Sequence, residues 1–321
     1  MSRIFKRKEG TIPFSASTQE RLELSRTAHV QNLIVKLSIN HTNGTTPVFN
    51  DAKLWALINS IEVVANGNEN IKQMPASKLY LDNIIATGMN GLNTVDTTAS
   101  STVDSYAYAI IPFSVPNSVR PHDTIINTRL FSTFDLLVNW GSASTLGSDI
   151  TVNSASLEVS SSALVGYSRN VGETIKYFKE TSLMKEVTSS TNEMTISLPV
   201  EKLYKGISIV ATNDNLRTNE VINNVIIKSG ETVFLNWDAE TIRALNNFQY
   251  RPETTAGLDG IMVVDFTERS FLSDMLNTVT AQGGFNTLEV VLDVTKSGSG
   301  TDRVYVLSDT IQNTGIVENK A

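Results

Sequence analysis

Two ten-residue stretches, one in each half of the chain, constrain the fold more than any other feature. The first reads Phe131-Ser-Thr-Phe-Asp-Leu-Leu-Val-Asn-Trp140, and the second reads Phe285-Asn-Thr-Leu-Glu-Val-Val-Leu-Asp-Val294. In both, a phenylalanine, a polar residue and a threonine precede a large apolar residue, an acid and an apolar run. Successive side chains of an extended chain point to opposite faces, so each stretch predicts a long and mostly apolar strand. The repeat therefore favours two similar β domains in tandem.

Three shorter correspondences support the repeat because they occur in the same order in both halves. They pair residues 37–43 with 207–213, 63–67 with 226–230, and 110–113 with 263–266. Each member of the second pair is soon followed by a predicted helix, which starts at Pro75 in the first half and at Asp238 in the second. Proline suits the first helical turn, and aspartate is a good N-cap. The length of 321 residues also fits two domains of ordinary size.

Alternating apolar residues between Gly-, Asn-, Ser- and Thr-rich turns predict about eight short strands in each half. A third helix is expected at 271–279, where apolar residues have helical spacing before Gly283 and Gly284. No strand–helix–strand alternation runs through the chain, which disfavours a doubly wound α/β fold. The predicted fold class is all-β with a few short helices, built as two tandem eight-stranded jelly-roll β-sandwiches.

The predicted boundaries follow from composition shifts along the chain. We expect a basic N-terminal arm at 1–20, a first jelly roll at 21–166, a charge-rich connection at 167–193, a second jelly roll at 194–312 and a C-terminal tail at 313–321. Long polar loops are expected at 89–104 and 141–149, and loops of such length are usually functional or mobile.

Composition excludes several classes of protein. The net charge of −7 argues against broad nucleic-acid binding, so no direct genome binding is expected. The chain has no cysteine, which removes disulfides and thiolate metal sites. No apolar run approaches the roughly 20 residues of a spanning helix, and the N-terminus lacks the apolar core of a secretory signal. A soluble protein made in the cytosol is expected.

Side chains that carry chemistry are sparse and scattered. The three histidines, His29, His41 and His122, have no ligand spacing, and each is interpreted as a surface or turn residue. Asp135 and Glu289 occupy matching places in the repeated stretch, which points to architecture because a single active site is rarely written twice. The oxygen-rich run at 213–215 lacks the pattern of a calcium loop and is interpreted as a polar turn. We predict no catalytic site, no cofactor and no metal ion, and therefore no enzyme.

The basic N-terminal arm is the one candidate site. Four cations flank two apolar residues in a protein that is acidic elsewhere. Each cation near an anionic bilayer contributes roughly 1 kcal/mol, and many arms on one surface would act together. Contact with a membrane and a disordered solubilising tail are the two interpretations. The candidate residues are Arg3, Ile4, Phe5, Lys6, Arg7 and Lys8.

Five features of the sequence form one pattern. They are the tandem repeat, the chain length, the helices after 63–67 and 226–230, the long polar loops and the short basic N-terminus. It resembles the double jelly-roll major capsid proteins of tailless icosahedral viruses with an internal membrane, of the corticovirus and Flavobacterium lipid-containing phage type. The resemblance covers roughly residues 20–310 and rests on no single diagnostic motif. It implies a homotrimer of pseudo-hexagonal outline that meets neighbouring trimers, vertex or penton proteins and minor capsid proteins in a virion shell. It also implies synthesis in the host cytoplasm and contact of the arm with an anionic inner membrane surface.

A binding module is the rival hypothesis. A two-domain β-sandwich that recognises carbohydrate or a cell-surface ligand is expected to be a monomer or dimer with aromatic residues grouped on one loop face. The chain has only three tryptophans, Trp55, Trp140 and Trp237, and packing in a core or at a sheet edge accounts for them.

Overall fold

A computed structural model of the chain describes residues 3–88, 93–116, 124–166, 174–252, 258–267 and 271–317. The strands of the first half are β1 (Arg3–Pro13), β2 (Gln19–Glu23), β3 (His29–Asn43), β4 (Ile58–Ala65), β5 (Glu69–Pro75), β6 (Asn93–Thr94), β7 (Thr102–Pro112), β8 (Ile126–Asn127), β9 (Phe134–Trp140) and β10 (Ile150–Val165). The strands of the second half are β11 (Thr174–Glu186), β12 (Thr191–Ser197), β13 (Leu203–Asn213), β14 (Leu216–Arg217), β15 (Ile222–Ser229), β16 (Thr232–Asp238), β17 (Ile261–Asp265), β18 (Leu276–Asn277), β19 (Glu289–Val294) and β20 (Asp302–Val317). The α-helices are α1 (Asp51–Ala56), α2 (Leu79–Thr87) and α3 (Ala239–Tyr250).

Both halves have the same strand order. The sheets of the first half run β1-β10-β3-β7 and β5-β4-β9-β2, and those of the second half run β11-β20-β13-β17 and β16-β15-β19-β12. When the eight long strands of each half are counted in chain order, both halves give 1-8-3-6 in one sheet and 5-4-7-2 in the other. Each half is therefore a complete eight-stranded jelly roll, which confirms the predicted fold class.

All four sequence correspondences fall on strands with the same place in the two jelly rolls. They join β3 to β13, the end of β4 to the end of β15, β7 to β17, and β9 to β19. The two helices that follow the second correspondence are also present. Asp238 is the N-cap of α3 and accepts a hydrogen bond from the Thr241 N–H at 2.8 Å, while α2 ends at Gly88 with φ of 75°.

The alternation of side chains in each strand builds the cores. In β3, Leu33, Val35, Leu37 and Ile39 are at most 1% exposed, whereas the residues between them lie on the outer face. Residues from β4, β9 and β10 complete the first core, and β13, β15, β19 and β20 line the second. The apolar periodicity read from the sequence is thus the packing surface of each sandwich.

Several predicted boundaries are wrong. Residues 3–13 are not a free arm, because they form β1, the first strand of the first jelly roll, and pair with β10 from Arg3↔Val165 to Pro13↔Ser156. The predicted connection at 167–193 contains all of β11 and the start of β12, and the predicted tail contains the end of β20. Residues 1–2, 167–173 and 318–321 lie outside the described residues.

The third predicted helix is also wrong. Residues 272–274 and 280–282 form single 3₁₀ turns, and the short strand β18 between them pairs with β13. The apolar residues of this segment have helical spacing, but β18 places Leu276 opposite Tyr204, and backbone pairing with β13 takes precedence over the local periodicity. Conversely, α1 was not predicted, and its Trp55 is fully buried.

Candidate assembly surfaces

The two jelly rolls stand side by side and share one continuous sheet. The edge strand β5 of the first half pairs in parallel with β11, the first strand of the second half, at Lys72↔Glu180. The core of the first half continues across this contact, because Val210 and Leu307 of the second half belong to it. We call this contact the internal junction. It covers the outer face of the β11-β20-β13-β17 sheet.

Charged side chains are buried at the centre of the internal junction. Lys78 Nζ, just before α2, donates to Asp82 Oδ1 at 2.9 Å and to Glu180 Oε2 of the other jelly roll at 2.6 Å. Lys72 Nζ lies 3.8 Å from the same Glu180 oxygen and 3.7 Å from the centre of the Phe178 ring. Each of these four charged side chains is at most 4% exposed. We call Lys72, Lys78, Asp82, Glu180 and Asp309 the ionic cluster.

Burial and charge balance set the protonation of the ionic cluster. Burial works against the charged form of Lys78, but Asp82 and Glu180 outweigh it, so the pKa of Lys78 is raised. Burial raises the pKa of Asp309 to about 7, and Glu180, directly opposite in the ladder, adds to the shift. Burial likewise raises the pKa of Asp82 to about 6 and lowers the pKa of Lys72. With Asp309 protonated, two lysines face two carboxylates, and the cluster is neutral.

The sequence did not reveal the ionic cluster, because its members come together only in space. Glu180 and Lys179 contributed to the charge density that was interpreted as a connection. Glu180 nevertheless follows Tyr177 and Phe178, and both aromatic side chains are 3% exposed. The sequence signal for a buried charge was therefore an acidic residue close to two aromatic residues.

Helix α2 also contacts strand β7 of its own jelly roll. Asn83 Nδ2 donates to the Tyr108 carbonyl at 2.9 Å, and its Oδ1 accepts from the Ile110 N–H at 2.9 Å. In α3, Asn246 bonds both backbone groups of one residue, donating to the Val263 carbonyl at 2.8 Å and accepting from the Val263 N–H at 2.7 Å. Both asparagines are 3% exposed. In each jelly roll, one buried asparagine therefore holds the helix on the sixth strand. It supplies hydrogen-bond partners to backbone groups at the edge of that strand.

The exposed side of α3 includes large apolar side chains. Phe248 is 81% exposed, Leu245 is 44% exposed, and beside them on β16 Trp237 and Val233 are about half exposed. We call these four residues the α3 face. Trp237 and Leu245 line a groove of about 450 Å³ whose wall also includes Ile242 of α3 and Phe266 after β17. Trp237 was predicted to pack in a core or at a sheet edge. It lies on edge strand β16, but it is not buried.

The candidate residues of the predicted arm lie in β1, on the open edge of the first jelly roll. Ile4 and Phe5 are 67% and 52% exposed, and Lys6 is exposed. Lys8 Nζ is 2.7 Å from Glu158 Oε2 on β10, and Arg7 is 3.0 Å from Glu9 Oε1. Arg3 contributes its backbone to β1. The strand thus presents cations and two apolar side chains in a fixed register.

The outer face of the adjoining sheet is polar. Lys36 Nζ lies 5.3 Å from the centre of the Tyr106 ring and 5.6 Å from that of Tyr108. Lys36 and Tyr106 line a groove on this face together with Ser154 and Ser156 of β10. Since the equivalent face in the second jelly roll carries Val210 and Leu307 and is covered, the two faces differ in chemistry although their strand order is the same.

The remaining sequence candidates are structural. His41 and His29 are buried, not at the surface as predicted, and His41 bonds to Asn43 Oδ1 and Ser105 Oγ at 2.8 and 2.9 Å. Burial lowers the pKa of His41. His122 lies outside the described residues. Asp135 pairs with Arg21 at 2.9 Å, whereas Glu289 lies in the other jelly roll, so the fold does not bring these two carboxylates together.

The oxygen-rich run at 213–215 ties two turns together. Asp214 Oδ1 accepts from the Thr301 N–H at 2.8 Å, and Asn213 Nδ2 donates to Asp302 Oδ1 at 2.8 Å. Across the described ranges, no group of three or more His, Cys, Asp or Glu side chains is arranged to hold a metal ion. The helices described here include none with the length and apolarity needed to cross a membrane.

Comparison with known proteins agrees with this architecture. A family model for the viral coat protein P2 N-terminal domain matches residues 185–311, which run from the end of β11 into β20. The matched segment is nearly the whole second jelly roll. No curated protein matches the chain in sequence.

Solved structures match over almost the full chain. A chain of Sulfolobus Turreted Icosahedral Virus is 15% identical with a TM-score of 0.73, over 96% of this chain and 90% of that one. The major capsid protein P2 of bacteriophage PM2 is 12% identical with a TM-score of 0.59, over 97% and 98% of the two chains. A chain of the PBCV-1 virus capsid is 10% identical with a TM-score of 0.61, over 98% and 94%. The chain therefore has the double jelly-roll fold of viral major capsid proteins, and its second half matches the viral coat protein P2 N-terminal domain.

Proposed function

We propose that the chain is a structural major capsid protein, and not an enzyme, whose copies build the shell of an icosahedral virion. The observation that carries this proposal is the side-by-side pair of jelly rolls fused through the internal junction. Close packing of its two sheets makes each jelly roll rigid. Two rigid jelly rolls fused side by side form a unit that can pack next to further copies in a shell. The resemblance in fold to viral capsid proteins over 96% or more of the chain supports the same role.

The proposed assembly unit is a homotrimer. Two equivalent jelly rolls in each of three copies give six similar lobes, and a ring of six lobes has the outline of a hexagonal tile. Head-to-tail contacts of this kind close into a ring when the rotation fits. Neighbouring trimers, vertex or penton proteins and minor capsid proteins are the proposed partners in the shell, and synthesis takes place in the host cytoplasm.

Contact with an internal membrane is proposed for the start of β1. Ile4, Phe5 and Lys6 are exposed at the start of β1, opposite the end of β10. Two apolar anchors with adjacent cations suit an anionic bilayer surface, and repetition over a shell strengthens a weak contact. Because residues 3–13 form a strand, removing them would damage the first jelly roll, and a charge reversal is the cleaner test.

The membrane contact is tested with Lys6→Glu by co-flotation of assembled protein with anionic phosphatidylglycerol vesicles. We expect the wild type to float with anionic but not with neutral phosphatidylcholine vesicles, and the variant to lose most of this binding. Glu231→Lys, a charge reversal at the turn between β15 and β16, is the control. Flotation of Lys6→Glu equal to that of wild type would remove the membrane contact from β1.

The shell role is tested by the native mass of the purified full chain. We expect a species of three times 35.1 kDa, and hexagonally packed tiles in electron micrographs at high concentration. A stable monomer at micromolar concentration would contradict the proposal. It would favour the rival carbohydrate- or cell-surface-binding module, for which the exposed Trp237 is the one specific observation.

A further inference from the structure

The core-facing side of β10 becomes exposed where the strand ends. Leu157 and Val159 on this side are fully buried in the first core, and Ala163 is 5% exposed. Val165, the next residue on the same side, is 45% exposed. Because Val165 lies opposite Arg3, the inward face of the first jelly roll is open at the end where β1 begins.

A groove of about 510 Å³ lies at this open end. Phe5 and Arg7 of β1 are the ladder partners of Ala163 and Ser161, so their side chains share the inward face of the sheet. Residues 27–28, just before β3, also line the groove. We call this space the β1 groove.

The β1 groove has an apolar end and a polar end. Phe5 and Val165 form the apolar end, and both are about half exposed. Arg7, Thr27 and Ser161 form the polar end, with a guanidinium and two hydroxyl groups. The fitting ligand is therefore an amphiphile, with one polar head and one apolar chain.

Arg7 is held in place and retains donors for an anion. Its Nε and Nη2 donate to Glu9 Oε1 at 3.1 and 3.0 Å, and its Nη1 lies 3.5 Å from Thr27 Oγ1. These contacts use three of the five N–H groups of a guanidinium. Glu9 is fixed in turn by the Ser25 N–H at 3.1 Å. Since Glu9 balances the charge of Arg7, the net charge of the site comes from other residues.

The other charged residues around the β1 groove leave a positive balance. Arg129 Nε donates to the Thr27 carbonyl at 2.9 Å, so a second guanidinium adjoins the polar end. Arg26 lies 3.9 Å from Glu23, and these two charges balance. Lys6, next to the groove on β1, is exposed. Lys6 and Arg129 therefore favour an anionic head group.

We infer that the β1 groove binds a single anionic phospholipid, with its phosphate on Arg7 and one acyl chain over Phe5 and Val165. The inference deepens the proposed membrane contact of β1 and rests on it. The chain leaves the groove beside the exposed Ile4, on the side proposed to meet the bilayer. Each bound lipid would thus tie one copy to the membrane by a defined site in addition to general charge attraction.

The direct test is calorimetric titration of the purified full chain with palmitoyl lysophosphatidylglycerol below its micellar concentration. We expect saturable binding at one site per chain. Val165→Gln makes the apolar end polar and is expected to raise the Kd about tenfold. Val48→Gln, at a residue that is 72% exposed and does not line the groove, is the control and should bind as wild type does. An unchanged circular dichroism spectrum and thermal midpoint show that each variant is folded.

Arg7→Gln tests the polar end separately. We expect wild type to prefer lysophosphatidylglycerol to zwitterionic lysophosphatidylcholine, and Arg7→Gln to lose most of this preference, whereas Val165→Gln weakens the binding of both lipids. Equal binding by wild type and Val165→Gln overturns the inference.

The flotation assay separates this inference from the membrane contact on which it rests. Lys6 lies opposite Ser162 and points away from the groove, so Lys6→Glu is expected to lose flotation but keep saturable binding of lysophosphatidylglycerol. Wild type that floats with anionic vesicles but does not bind the single-chain lipid overturns the groove and leaves the membrane contact intact. Wild type that does neither overturns both.

Discussion

Helices α2 and α3 occupy the same place in two jelly rolls, yet they present opposite chemistry. Each helix is held by an asparagine side chain on the sixth strand of its own jelly roll. Around α2, the contact with the other jelly roll buries Lys78, Asp82 and Glu180, whereas α3 exposes Leu245 and Phe248. A junction that forms once, as the chain folds, can hold buried charges because their partners are always present. The exposed α3 face instead presents large apolar side chains, which marks it as a candidate interaction surface.

The largest effect is expected from breaking the ionic cluster. Lys78→Met leaves Asp82 and Glu180 buried beside each other without their shared cation. We expect the free energy of unfolding to fall by about 3–5 kcal/mol, measured by urea denaturation at a fixed protein concentration. Lys185→Met, which removes an exposed lysine from β11, is the control and is expected to change little. A loss below about 1 kcal/mol for Lys78→Met would mean that the cluster does not hold the halves together.

The protonation of Asp309 gives the internal junction a pH dependence of known sign. Burial raises the pKa of Asp309 to about 7 in the folded chain, so its contribution to stability is complete below its ordinary pKa and is lost as pH rises through about 7. Asp82, with its pKa raised to about 6, acts in the same direction. We expect the contribution of Asp309 to the free energy of unfolding to fall by at most about 4 kcal/mol between pH 4 and pH 9.

Asp309→Asn tests the source of this pH dependence. The amide keeps the shape of the protonated acid but does not titrate, so the decline with pH is expected to become much shallower. Urea denaturation curves at a series of pH values measure it. An equally steep decline in the variant would assign the dependence to other groups.

The asparagine pair offers a matched comparison of the two halves. Asn83→Ala and Asn246→Ala each leave a buried N–H and carbonyl of an edge strand without their partner. We expect each substitution to lower the free energy of unfolding by about 1–3 kcal/mol. Comparable losses are predicted by the equivalence of the halves. A loss confined to one variant would show that only one helix depends on this contact.

The smallest effect is expected at the exposed ion pair of the open sheet. Lys8 and Glu158 are 59% and 44% exposed in their side chains, in contrast to the buried cluster of the internal junction. Lys8→Gln should change the free energy of unfolding by less than about 1 kcal/mol, measured by thermal and urea unfolding. A larger loss would mean that β1 depends on this pair for its pairing with β10.

The sequence contained the duplication but not the contacts between the copies of the repeat. The repeated stretches predicted paired strands because apolar alternation and turn residues act locally, and Asp238 marked the start of α3 in the same way. Strand β1 was missed because Ile12 is its only fully buried apolar side chain and backbone pairing with β10 holds the rest. The ionic cluster joins residues that are distant in sequence, so no local pattern reveals it. The residues of the α3 face lie within 233–248, but which of them are exposed depends on how α3 packs on the rest of the jelly roll.

Cryo-electron microscopy of the assembled protein tests the central claim most directly. The account predicts a trimer whose six jelly rolls form a ring of pseudo-hexagonal outline, with the two jelly rolls of each copy joined side by side through the internal junction. A map that shows monomers, or copies whose two jelly rolls are not joined in this way, would contradict it.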